Sequence, residues 1–166
     1  MPKYSDLPTV SVSVEVAASP AALWPIISDP ATPVAFSEEL AAAEWMPPHT
    51  GPVEGAVFEG TNQHPAIGEW KVPNYVAVCE PEKEFGWDPG GPDAAWTRWR
   101  LRTEANGDTT TLTFWAQMGF GPSGLTPAIE AMPDREEEIV ARRLGEWEAS
   151  MVATIKGIKA IAEAAA

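Results

Sequence analysis

The sequence predicts an α+β protein: a seven-stranded, curved antiparallel sheet wrapped around a long C-terminal helix, with two short helices after the first strand. Three observations lead there. Seven runs of strand character are separated by turn residues. The chain closes on an apolar stripe repeating at three- and four-residue steps. Helical signals gather at two places instead of alternating with the strands, which argues against a wound parallel sheet.

Thr9–Ala17 alternates, with Val10, Val12, Val14 and Val16 on one side and Ser11, Ser13 and Glu15 on the other, the pattern of a half-buried strand. Ser19-Pro20 then supplies an N-cap and a proline at the first helical position, where a missing N–H costs nothing. That helix should run to about Ser28. Asp29-Pro30 and Thr32-Pro33 restart the chain, so Val34–Phe36 reads as a second short helix. Six further strands are expected over Leu40–Met46, Ala56–Gln63, Glu69–Glu80, Glu84–Trp87, Ala95–Glu104 and Thr109–Met118. Asn106-Gly107-Asp108 is the strongest hairpin signal, because residues tolerating positive φ match the twist of a tight turn. Gly119–Pro133 reads as a connector. Asp134 then caps a helix with Glu136, Glu137 and Glu138 in its first turn. Val140, Leu144, Trp147, Met151, Ile155, Ile158 and Ala162 form its apolar face.

The length, 166 residues, suits a single domain over 1–166. Eleven basic against 24 acidic side chains leave a formal charge of -13, a poor match for nucleic acid or an anionic membrane. Cys79 stands alone, so no internal disulfide is possible and a reducing compartment fits. No run approaches the roughly 20 apolar residues of a membrane span. The opening MPKYSDLPTV has no leader pattern, and the expectation is a soluble, cytoplasmic protein, monomeric or homodimeric. Eight tryptophans are many for this length, and they point either to a dense core or to an aromatic-lined pocket.

Several segments together resemble the SRPBCC or START-like superfamily, most closely its bacterial polyketide cyclase/dehydrase-like branch. They are Val14-Glu15-Val16-Ala17-Ala18-Ser19-Pro20 with Leu23-Trp24, Ser28-Asp29-Pro30, Glu44-Trp45, Gly55 to Asn62, Glu80-Pro81, and Trp99 with Asn106-Gly107-Asp108-Thr109. The resemblance spans nearly the whole chain and implies the helix-grip fold. Members include lipid and hormone binders, aromatase/cyclases and hydrolase-like proteins, so the shape implies a ligand cavity more than a reaction.

Candidate chemistry is sparse. His49 and His64 both lie in turns, and the sequence has no His pair, Cys pair or acidic loop suited to a metal, so neither metal nor organic cofactor is expected. No nucleophile elbow or phosphate-binding glycine loop is present. Strand parity places Phe58, Gly60 and Asn62 on one face, with Trp70, Val72, Asn74, Val76 and Val78 beside them. On the later strands it groups Thr97, Trp99 and Leu101, then Leu112, Phe114, Ala116 and Met118. Arg98, Arg100 and Arg102 would then face solvent.

Two functions compete. The first is binding of a small hydrophobic ligand, aromatic, polyketide-like or lipid-like, between sheet and helix. Trp45, Phe58, Trp70, Asn74, Trp99 and Phe114 would line that cavity from the sheet, and Trp147 and Met151 from the helix. The second is a cofactor-independent cyclase or dehydratase, of lyase or isomerase type, working by positioning. There Asn62 would stabilise an oxyanion, and His64 and Glu69 would move protons. A protein-interaction module seeded by Trp115 on the convex face is a third reading.

Overall fold

Alternating apolar residues demand a shared buried face, and the computed structural model, which describes residues 1–93 and 95–165, supplies it with one sheet. Its strands are β1 (Thr9–Val16), β2 (Leu40–Trp45), β3 (Val57–His64), β4 (Gly68–Glu80), β5 (Glu84–Pro89), β6 (Thr97–Asn106) and β7 (Thr109–Met118). The sheet order is β1-β7-β6-β5-β4-β3-β2, and every pairing is antiparallel. Consecutive strands β2 to β7 are neighbours, while β1 closes on β7, so the chain must cross the sheet's full width between β1 and β2. The helix α1 (Pro20–Ile27) and a 3₁₀ turn at Thr32–Ala35 make that crossing. Ser19 caps α1 by accepting the Ala22 N–H on its side-chain oxygen at 3.1 Å. This is the helix-grip architecture.

The long helix, α3 (Glu136–Ala164), begins one residue later than the Asp134 cap predicts. Pro133–Arg135 forms a 3₁₀ turn instead, and the entry to α3 has no side-chain cap. The Gly/Pro connector also contains a short helix, α2 (Thr126–Ala131), with Pro127 in its first turn. In the β6–β7 hairpin Asn106 pairs with Thr109, so the two-residue loop is Gly107-Asp108. Positive φ falls only on Gly107, at 64°, as in a type II′ turn.

One parity expectation fails. Val76 faces Trp87 across the β4–β5 pair, but Val78 faces Gly86 and Cys79 faces Phe85, so Ala77 is the extra residue of a β-bulge. Val78 is thereby turned to the convex side, and Cys79 packs beside Phe85 on the concave side. Among the described residues, no helix is long and apolar enough to cross a membrane.

The concave face divides into two clusters. Val16, Leu101, Leu112, Phe114, Ala116 and Met118 pack against α1 and against Val140, Trp147, Met151, Ile155 and Ile158 of α3. Ala43, Ala56, Phe58, Val76 and Phe85 form the second cluster on β2–β5, and Trp24 and Trp87 belong to the borders of both. The helix packs most closely along β1 and less on β7, leaving the β2–β5 side of the sheet less covered by it. Gly157 allows Phe36, just past the 3₁₀ turn, to lie directly on α3, in space that any side chain at 157 would occupy.

Candidate functional site

Along β3 the inward positions run Phe58, Gly60, Asn62, His64, passing from the aromatic interior to the sheet's edge at about 6.7 Å per step. Their β4 partners are Asn74, Val72, Trp70 and Gly68. Trp45, Ala43 and Leu40 of β2 stand opposite Phe58, Gly60 and Asn62. A continuous path of rings crosses this floor. Trp45 meets Phe58 edge-on at 5.7 Å, Phe58 meets Trp87 at 6.0 Å, Trp87 stacks on Trp99 at 6.4 Å, and Trp99 meets Trp147 of α3 at 4.5 Å. Trp45, Trp70, Trp87 and Trp99 are only half-buried although they face the concave side. Solvent therefore reaches the edges of these rings.

Three segments converge at the end of β3. Arg143, one helical turn before Trp147, holds Glu39 through Nη2 at 2.7 Å and Glu146 through Nη1 at 2.9 Å. Burial alone would disfavour the charge, but hydrogen bonding and attraction from Glu39, then Glu146, outweigh it and hold the Arg143 guanidinium above its ordinary value. The carbonyl of Glu39 accepts the Gln63 N–H at 2.7 Å, which ties the chain before β2 to the end of β3. His64 completes the group, with Nε2 3.9 Å from the Glu146 carboxylate. Its Nδ1 accepts the Ala66 N–H at 3.1 Å, so a neutral ring carries its proton on Nε2, the nitrogen nearer Glu146.

The sequence-selected residues separate here. Asn62 and His64 share the inward face, but Glu69 pairs with Gln63 on the opposite face and is exposed, so the expected His64–Glu69 pair does not form. His64 is arranged as a hydrogen-bond donor at Nε2, and the general-base role would require the Ala66 bond to break. Trp45, Trp70 and Trp99 are half-buried on the concave face, and Phe58, Phe114 and Trp147 are buried there. Met151, 1% exposed, belongs to the packed core rather than to a lining. Asn74 is 7% exposed, and its Nδ2 donates to the carbonyls of Val72 at 3.1 Å and Phe58 at 3.5 Å.

Three residues escaped the sequence reading. Trp87 touches Phe58, Phe85, Trp99 and Phe114, and the spacing Phe85-x-Trp87 on a short strand was its signal. Arg143 sits three residues after Val140 and four before Trp147, on the face otherwise apolar, which marks it as a charge turned inward. Glu39 has no local signal, since its role comes only from its partner on α3.

The convex face differs from expectation at one arginine. Arg100 points outward, yet it is 9% exposed and lies flat over Gly86, in space that any side chain at 86 would fill. Its Nη1 donates to Asp88 at 2.9 Å and to the carbonyls of Trp99 at 2.8 Å and Trp87 at 3.2 Å. Trp115 is covered by the Arg102 guanidinium at 5.3 Å, and Phe120 by that of Arg98 at 4.0 Å. The thiol of Cys79 is pushed up by burial and by the charge of Glu54, away from the thiolate that nucleophilic chemistry needs. A separate recess of about 560 Å³ opens beside the β4–β5 turn, between Glu80–Glu84 and Arg102–Ala105. Among the described residues no set of three or more His, Cys, Asp or Glu side chains could hold a metal ion.

Comparison with known proteins places this geometry. The family model described as polyketide cyclase / dehydrase and lipid transport matches residues 8–146. Among solved structures, a polyketide cyclase-like protein from Corynebacterium glutamicum is 27% identical, with 88% of each chain covered and a TM-score of 0.59. The Zhui aromatase/cyclase from Streptomyces superposes with a TM-score of 0.66 at 15% identity, over 95% of this chain and 94% of that one. The major latex-like protein of Panax ginseng reaches 0.60 at 5% identity, over 92% and 95%. These last two likenesses are of fold alone. A search of curated proteins finds no match.

Proposed function

Because the chain belongs to the polyketide cyclase / dehydrase and lipid transport family, we propose that it binds a small hydrophobic, ring-containing ligand in the cleft between β2–β5 and α3. The observation that carries this reading is the path of rings from Trp45 through Phe58, Trp87 and Trp99 to Trp147, of which Trp45, Trp87 and Trp99 are half-buried. Offset and edge-on ring contacts each add about 0.5–1.5 kcal/mol beyond area burial, so a planar ligand entering this path gains from stacking as well as from desolvation. The Glu39–Arg143–Glu146 bridge spans the mouth, and its opening would admit the ligand.

A second reading has its own support in the polar step from Asn62 to His64 with Glu146 beyond it. In a cofactor-independent cyclase or dehydratase, the Nε2–H of His64 would polarise a ligand carbonyl and Glu146 would accept a proton. Most of the rate would come from holding the chain folded. Glu69, on the far face, has no part in it.

Native mass spectrometry after incubation with aromatic polyketides, linear poly-β-ketone mimics, isoprenoids and fatty acids separates the two. Recovery of an aromatic ligand bound one to one and unchanged supports the binder. A bound product lighter by one water supports the dehydratase, and His64→Ala should then abolish the mass change while leaving binding intact. If no panel member binds, the cleft reading fails.

A further inference from the structure

Three asparagines occur in the chain, and the fold disposes of their amides differently. Asn62 lies inside β3, and the backbone nitrogen after it, that of Gln63, donates to the Glu39 carbonyl at 2.7 Å. Asn74 lies buried inside β4, with its own Nδ2 given to the carbonyls of Val72 at 3.1 Å and Phe58 at 3.5 Å. Asn106 has neither restraint. It ends β6 on an exposed corner, and its Nδ2 reaches a Glu15 carboxylate oxygen at 3.5 Å, the outer limit of a hydrogen bond. Gly107 follows it. The loop Gly107-Asp108 lies outside the β6–β7 ladder, and the Gly107 N–H meets no acceptor among the described residues. No side chain crowds that nitrogen, and the space where a Cβ would stand is open.

We propose that Asn106-Gly107 is a site of spontaneous deamidation, and that the modification weakens the hold of the β6–β7 hairpin on β1. The Gly107 nitrogen gives up its proton to solvent and bonds to Cγ of Asn106, while the Cγ–Nδ2 bond breaks and the amide leaves as ammonia. Water then opens the cyclic imide. Addition at Cγ returns an aspartate, and addition at the Asn106 main-chain carbonyl leaves an iso-aspartate, with the chain running through the side-chain carbon. Nothing is oxidised or reduced.

Either product puts a negative charge where an amide donor was. Glu15 of β1 is held by the hydroxyls of Thr111 and Thr109 as well as by Asn106, so its carboxylate fastens β1 to this corner. A second carboxylate beside it opposes that fastening, as like charges do on neighbouring strands. Glu104, two positions back on the same face of β6, and Asp108 in the loop add to the repulsion. Lys159 is already held by the Glu15 carbonyl at 2.6 Å and by Glu163 at 2.8 Å. The iso-aspartate also lengthens the main chain where Asn106 pairs with Thr109, a register that the two-residue turn sets.

Ageing the folded protein in mildly alkaline buffer, followed by tryptic digestion and mass spectrometry, tests the site. Residues 103–135 form a peptide that holds Asn106 and no other asparagine, while Asn62 and Asn74 fall in other peptides. The mass difference of –OH for –NH2 should accumulate in that peptide alone, in two forms that chromatography separates. The same chain unfolded in guanidinium chloride is the reference. A folded protein that stays unmodified while the unfolded one converts would overturn the site, and equal conversion at Asn62 or Asn74 would show that the fold does not select it. The consequence has its own readout. Asn106→Asp should melt about 1–3 °C below Asn106→Ser at low salt, since both lose the amide and only the first gains a charge, and the gap should close as salt screens it. Equal melting at low salt would overturn the weakening of the hairpin while leaving the site in place.

Discussion

The two halves of the concave face see the same helix and are finished in opposite ways. On β1, β7 and β6, alternation delivers Val16, Leu101, Leu112 and Met118 to α3, and Val140, Met151 and Ile158 answer from the helix, all at 1% exposure or less. On β2–β5 the same parity delivers Trp45, Phe58, Gly60, Asn62, Trp70 and Asn74, a mixture of rings, amides and a bare glycine that α3 covers less. Aliphatic side chains interdigitate at crystal-like density, while large rings keep edges that water reaches. Where side chains fit one another the sheet gives stability, and where they do not it leaves room for something else.

Truncation at matched positions should expose this difference most strongly. Ile158→Ala, in the sealed half, should cost about 2–5 kcal/mol in urea unfolding, since the cavity it leaves has no way to collapse against both β1 and α1. Leu40→Ala, half-buried opposite Asn62 on the cleft floor, should cost about 1 kcal/mol, because much of its surface is already wet. Equal losses would mean that the two halves are packed alike and that the cleft is an artefact of partial exposure.

The ionic bridge at the mouth is the next largest effect. Arg143→Met leaves Glu39 without its cation and Glu146 with only the exposed Arg142 at 3.5 Å. Both carboxylates remain partly solvated, so the loss should be about 1–2 kcal/mol, below that of a fully buried pair. Adding Glu39→Gln to Arg143→Met should recover part of it. A double-mutant cycle by chemical denaturation reads this coupling directly, and a coupling near zero would remove the bridge as a fastening between β2 and α3. The same variant should release ligand faster if the bridge spans the entrance.

This contrast also explains what the chain discloses in one dimension. Seven strands in the right places follow from alternation and from turns such as Pro65–Gly68, because period two and turn chemistry are local properties. The bulge at Ala77 is not local. Val76, Ala77, Val78 and Cys79 are apolar on both faces, and only the partners Trp87, Gly86 and Phe85 decide which of them turns inward. Arg100 is buried because Gly86 stands across from it, and Glu39 matters because of a residue 104 positions later. Asn62 and His64 could be placed by parity, whereas Glu69, one step out of phase with Trp70, shows that nearness in a hairpin does not put two side chains on one face.

The smallest effect lies on the convex face of the sealed half. Glu15 of β1 faces the convex surface, where its carboxylate accepts hydrogen bonds from Thr111, from Thr109 at 2.8 Å and from Asn106 at 3.5 Å. The Thr111 bond chiefly, then that of Thr109, hold its carboxyl below the usual range against a smaller opposing desolvation. A group with a depressed folded pKa contributes stability above its unfolded pKa and loses it as pH falls through the folded one. The melting temperature of Glu15→Gln should therefore lie slightly below that of the parent at pH 7, and the two should converge under acid. Ligand affinity should be unchanged, because the hydroxyls that hold Glu15 belong to the half of the sheet already sealed by α3. A gap that widens in acid would reverse the sign of the argument, and a change in affinity would show that the two halves are coupled through the sheet.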